Sequence, residues 1–165
     1  MVENEQKERL RKRIMIENEI RDGANWFYWI AVLSVINTMI IMFGGNWNFI
    51  IGLGITQIID AYGYELSVNM GNYINIAAFV LNLAIAGFFA MIGFYANKKR
   101  RWSFLLGMFL YGIDGLLFLI VLDYLSIAFH IIALYFMYKG YIANIRDIAD
   151  IDVENGISND MDLIK

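Results

Sequence analysis

Three runs of apolar residues organise the chain: Trp26–Phe43, Tyr73–Ala96 and Trp102–Leu122. A helix that crosses a bilayer needs about 20 mostly apolar residues, and each run is long enough. A fourth run, Leu125–Tyr138, follows the third almost without a break. One helix through 102–138 would reach about 55 Å at ~1.5 Å per residue, far beyond a hydrocarbon core. The chain is therefore expected to turn at Leu122–Ser126 (LDYLS), where Asp123 or Ser126 can cap a new helix. The pattern predicts an all-α integral membrane protein, a four-transmembrane-helix bundle with spans at about 26–43, 73–96, 102–122 and 125–142.

The stretch between the first two spans has a pattern of its own. Gly44–Asn48 (GGNWN) reads as a turn and 49–62 as a short helix. At ~1.5 Å per residue that helix covers only about 20 Å, too short to cross. Ile51, Ile55, Ile58 and Ile59 form one side, with Gly52, Thr56 and Asp60 opposite. It is expected to be an extra short amphipathic or re-entrant half-helix in the outer loop, lying on the interface or dipping in to lid the bundle.

Charge sets the expected orientation. Six Lys and Arg residues precede the first span and Lys98–Arg101 (KKRR) joins spans two and three, whereas 44–72 and the Asp123 turn carry no basic residue. Basic residues favour the cytoplasmic side. Both termini are thus expected in the cytoplasm of a multi-pass plasma (inner) membrane protein, and no cleavable signal peptide is expected. Aromatic belts agree, with Trp26–Trp29, Trp102, Tyr138 and Tyr141 inside and Trp47, Tyr62, Tyr64, Tyr73 and Tyr124 outside. Residues 1–25 read as a charged helix supported by pairs such as Glu3–Lys7. Residues 26–142 form the membrane domain, and 143–165 an acidic tail, disordered from about Asn155, that could pair with the basic N-terminal helix.

Candidate chemistry lies within the spans. Asp114 is the one charge between Trp102 and Leu122, and an ionised carboxylate at such depth costs several kcal/mol unless partnered. Counting ~1.5 Å per residue puts Asp114 about 12 Å below the outer end of its span, His130 about 6–10 Å, Asn37 about 9 Å and Asn82 about 13 Å. One polar side chain from each span thus falls in a shared outer-half layer. Tyr111 shares the side of Asp114, while Asp60, Gln57 and Glu65 could close the layer from above. An Asp114–His130 pair could carry a proton. On this reading Asp114→Asn leaves the fold intact and abolishes activity; if Asp114 only joins helices, stability should hold or rise and function should survive.

Much other chemistry is excluded. With no cysteine there is no disulfide framework, thiolate metal site or thiol redox step. No hydrolase, zinc or nucleotide motif occurs; no metal or other cofactor is expected, and nucleic acid is not an expected partner. Gly52–Gly54 (GLG) is too short for a nucleotide fingerprint. The expected function is an outward-facing polar intramembrane cavity that binds or conducts a small solute, ion or proton, in a homo-oligomer or as a subunit of a membrane complex, with membrane lipid as partner. The alternatives are a membrane-embedded enzyme acting on a lipid-type substrate at the outer leaflet, with Asp114 and His130 as acid and base, and a non-catalytic binding or assembly subunit.

Overall fold

The computed structural model describes residues 2–43 and 52–163, and the side chains of 3–43 and 52–150. Five helices follow one another: α1 (Val2–Met42), α2 (Gly54–Met70), α3 (Tyr73–Asn97), α4 (Arg101–Ile120) and α5 (Tyr124–Leu163). Four of them, α1, α3, α4 and α5, are long and apolar enough to cross a membrane. α1 packs on α3 and α5, α4 closes the ring between α3 and α5, and α2 lies mainly against α3.

The bundle buries polar side chains beside an apolar core that includes Phe27, Ile92 and Phe104, and its exterior is apolar. Ser34, Asn37, Thr38, Asn82, Asp114 and His130 are buried, while Val32, Leu81, Phe109, Leu116 and Ile131 are exposed. Water would penalise such an exterior, whereas lipid does not. Small residues bring the helices together. α1 and α5 cross at Gly23 and Gly140, where a Cβ on Gly23 would lie 2.6 Å from the Gly140 Cα. Gly107 leaves room for Phe27 and Ile92.

The α3–α4 and α4–α5 connections close with the same pair of backbone bonds. Arg100 N–H donates to Tyr95 O (3.1 Å) and Lys99 N–H to Ala96 O (2.9 Å); Asp123 N–H donates to Phe118 O (3.0 Å) and Leu122 N–H to Leu119 O (3.4 Å). This is the Schellman ending, whose left-handed residue is usually glycine. Here it is Lys99 (φ 60°) and Leu122 (φ 56°). Asp123 then caps α5, accepting from Ser126 Oγ (2.6 Å) and Ser126 N–H (3.2 Å). The Ser126 hydroxyl holds the Asp123 carboxyl below its ordinary range.

Three boundaries differ from expectation. The N-terminal charged helix is continuous with the first span, with no break near residue 25. The short helix expected at 49–62 runs Gly54–Met70; the turn read at 44–48 and residues 49–51 lie outside the described residues. α2 continues past Gly63 because that glycine meets α3, where a Cβ would lie 2.8 Å from Ala78 Cβ. It stops at Gly71, whose φ of 109° suits glycine. Finally, α5 runs helical to Leu163 where disorder was expected from Asn155; no proline interrupts it. The basic N-terminal segment and the acidic tail do meet, through Lys12 and Asp150 (3.0 Å), and Lys99 reaches Asp147 (3.0 Å). The Lys12–Asp150 pair is exposed and adds little stability.

Candidate functional site

α4 turns Asp114 inward, and the carboxylate meets the first turn of α2. Its Oδ2 accepts the Gly54 N–H (2.7 Å) and its Oδ1 accepts the Ile55 N–H (2.9 Å). The opening N–H groups of a helix have no partner within it, and they carry the positive end of its dipole. Leu53, at the cap position of α2, makes no side-chain capping bond. Asp114 supplies that cap from another helix. The neighbouring donor is met as well: Leu53 N–H donates to Ser34 Oγ (2.8 Å), which donates in turn to Ile30 O (2.8 Å). Glycines make the insertion possible. A Cβ on Gly54 would lie 2.8 Å from the Phe118 ring, and one on Gly52 would lie 2.8 Å from Asn37 Nδ2.

His130 completes the group. Its Nε2 lies 3.1 Å from Asp114 Oδ2 and its Nδ1 lies 2.8 Å from Ser126 O. A carbonyl only accepts, so Nδ1 carries a hydrogen. A second proton must then lie between Nε2 and the carboxylate, giving imidazolium with carboxylate or imidazole with carboxylic acid. The ring stacks on Tyr111 (4.2 Å, 13°) and leans on Phe118 (5.1 Å). Gly115 lets it approach, since a Cβ there would lie 3.0 Å from His130 Cδ2. The Tyr111 hydroxyl is buried with no hydrogen-bond partner among the described residues.

One to two turns along α2 lies a second polar group. Asp60 Oδ2 accepts from Thr38 Oγ1 (2.8 Å) and Asp60 Oδ1 from Asn82 Nδ2 (2.8 Å). The Asn82 amide also reaches Thr38 Oγ1 (3.1 Å) and Thr56 O (3.2 Å), while its own oxygen has no partner among the described residues. Burial pushes the Asp60 carboxyl above its ordinary range, against the opposite pull of Thr38 and Asn82. No Lys or Arg occurs between Asp22 and Asn97. Asp60 and Thr38 stand on the wall of a cavity of about 110 Å3, with Tyr64, Asn75, Ala78 and Phe79.

The four-residue layer read from depth thus divides into two groups. Asp114 and His130 pair, beside Tyr111; Asn82 joins Asp60 and Thr38; Asn37 is buried next to Gly52. Gln57 is half-buried and Glu65 is exposed. Among the described residues no three His, Cys, Asp or Glu groups gather as a metal site would require. Thr56 and the backbone donors of α2 are what sequence reasoning misses. The Gly-Leu-Gly spacing was the one signal of a close backbone approach.

The fold is an all-helical bundle with four helices long and apolar enough to cross a membrane. No family model, no curated protein and no solved structure matches the chain, so its function is argued from the geometry.

Proposed function

We propose that the protein binds a proton or small monovalent cation at Asp60, in the outward-facing half of a four-span bundle whose termini lie in the cytoplasm. The supporting observation is a carboxylate on the wall of a small cavity, held by Thr38 and Asn82, with no ion pair among the described residues. A carboxylate withdrawn from water requires a proton or a cation. Thr38 and Asn82 hold it in place through donors, leaving the cavity side for the ligand. The Asp114–His130 pair then serves as the lock that seats α2, and with it Asp60. Acid–base chemistry on a lipid is less well supported at that pair, because both residues are buried and both Asp114 oxygens are occupied.

The test is flux into liposomes holding the purified protein, with a pH-sensitive dye for protons and Na+ or K+ gradients for cations. Uptake through the native protein and its loss in Asp60→Asn would support the reading; uptake unchanged in Asp60→Asn would overturn it. A non-catalytic assembly module is favoured by one observation, the complete use of Asp114 and His130 in seating α2. That reading expects no flux and a co-purifying partner.

A further inference from the structure

A cavity of about 520 Å3 lies away from these groups, in the crevice between α1 and α5. Its floor includes Gly23, at the close crossing with Gly140. One end carries Glu19, Asp22 and Lys139; the other is lined by Leu33 and Phe129. From Glu19 to Leu33 is about 21 Å along α1 at ~1.5 Å per residue.

This crevice straddles the boundary between charge and hydrocarbon on both helices. Asp22 is the last charged residue of α1, and Lys139 the first of α5 after the Asp123 cap. Trp26 stacks on Phe136 (5.1 Å, 10°) and rests on Phe129 (5.8 Å) at that level, and Trp29 is largely exposed. Tryptophans of this kind mark the headgroup level of a bilayer. A charged mouth that leads into an apolar trough has the polarity of a single phospholipid.

The charges at the mouth select the headgroup. Glu19 pairs with Lys139 at 3.1 Å, and Asp22 has no cation partner among the described residues, so the mouth carries an excess negative charge. An anionic headgroup would set a second negative charge beside Asp22. A headgroup ammonium would instead meet two carboxylates and the face of a tryptophan, a favourable cation–π surface. The geometry points to a phospholipid with an amine headgroup, of the phosphatidylethanolamine type, bound in this crevice. Its ammonium lies between Asp22 and Glu19, its phosphate beside Lys139, and one acyl chain along Leu33 and Phe129.

Tryptophan quenching by brominated lipid tests this on the full chain in liposomes, in a Trp47→Phe, Trp102→Phe background so that only Trp26 and Trp29 report. Brominated phosphatidylethanolamine is expected to quench with at least threefold higher relative affinity than brominated phosphatidylglycerol. Asp22→Asn should erase that preference and Asp22→Lys reverse it; Asp22 is exposed, so both variants should fold, as far-ultraviolet circular dichroism would confirm. Equal quenching by the two lipids in the parent overturns the proposal, as does a preference that survives both variants. Protection of Trp29 from either lipid, with cross-links between position 29 of two copies, also overturns it and assigns the crevice to a second copy.

Discussion

Replacing Asp114 with Asn tests how α2 is held. The carboxylate accepts the Gly54 N–H on one oxygen and the Ile55 N–H on the other. An Asn has one acceptor oxygen, so either orientation of its amide turns two hydrogens toward one of those backbone donors. One buried N–H is left unpaired, at about 1–3 kcal/mol. In the imidazolium–carboxylate state, loss of the negative charge at the helix start removes about 0.3–1 kcal/mol more. With Oδ2 also serving His130 (3.1 Å), the total should be about 3 kcal/mol. From the residue alone Asn looked harmless or stabilising; the two backbone donors reverse that sign. Chemical unfolding in detergent, followed by tryptophan fluorescence, would measure the loss. Hydrogen exchange should show it concentrated at Gly54 and Ile55. An Asp114→Asn protein as stable as the parent would refute the capping argument.

Other changes give equally definite outcomes. Lys99→Gly and Leu122→Gly relieve left-handed residues and should each stabilise by about 1 kcal/mol, seen as raised unfolding midpoints; a fall would mean that the side chains carry contacts worth more than the strain. Asp123→Ala should cost about 1 kcal/mol through its cap. The Ser126 bonds lower the folded pKa of Asp123 beneath its ordinary value, so its contribution is present above that ordinary value and lost as pH falls through the folded one; the variant should lack this acid-side loss. Tyr111→Phe removes a buried hydroxyl with no partner among the described residues and should be neutral or stabilising by about 1 kcal/mol, by the same unfolding assay. A clear loss there would reveal a bridging water.

The four apolar helices are legible in the sequence because each is a long apolar run with charge at one end at least, and the Asp123 turn because no helix could continue through it and stay within a bilayer. The extent of α2 is not. Gly63, Ser67 and Asn69 resemble loop residues, and only the approach of Gly63 to Ala78 shows why the helix continues. Asp114 and His130 stand out as residues that do not belong in an apolar run, and they do pair. The main partners of Asp114 could not be read, because backbone N–H groups leave no mark on residue type. Counting depth placed Asn82 in the same layer as Asp114. The structure separates them because different turns of α2 meet each, Asp60 for the first and Gly54 for the second.

The cap on α2 also bears on the order in which the protein is made. Gly54 and Ile55 find their acceptors 60 and 59 residues later in the chain. Synthesis proceeds from the N-terminus, so α1, α2 and α3 exist before any carboxylate can receive the start of α2. Until α4 has entered the bundle, seating that turn in an apolar medium would leave two N–H groups unpaired, at several kcal/mol each. If the four apolar helices span a bilayer, α2 therefore waits at the water interface and docks only after α4 has entered the bundle, as a late step of biogenesis. A ribosome stalled before α4 would hold an intermediate with residues 52–60 still open to water-soluble labels.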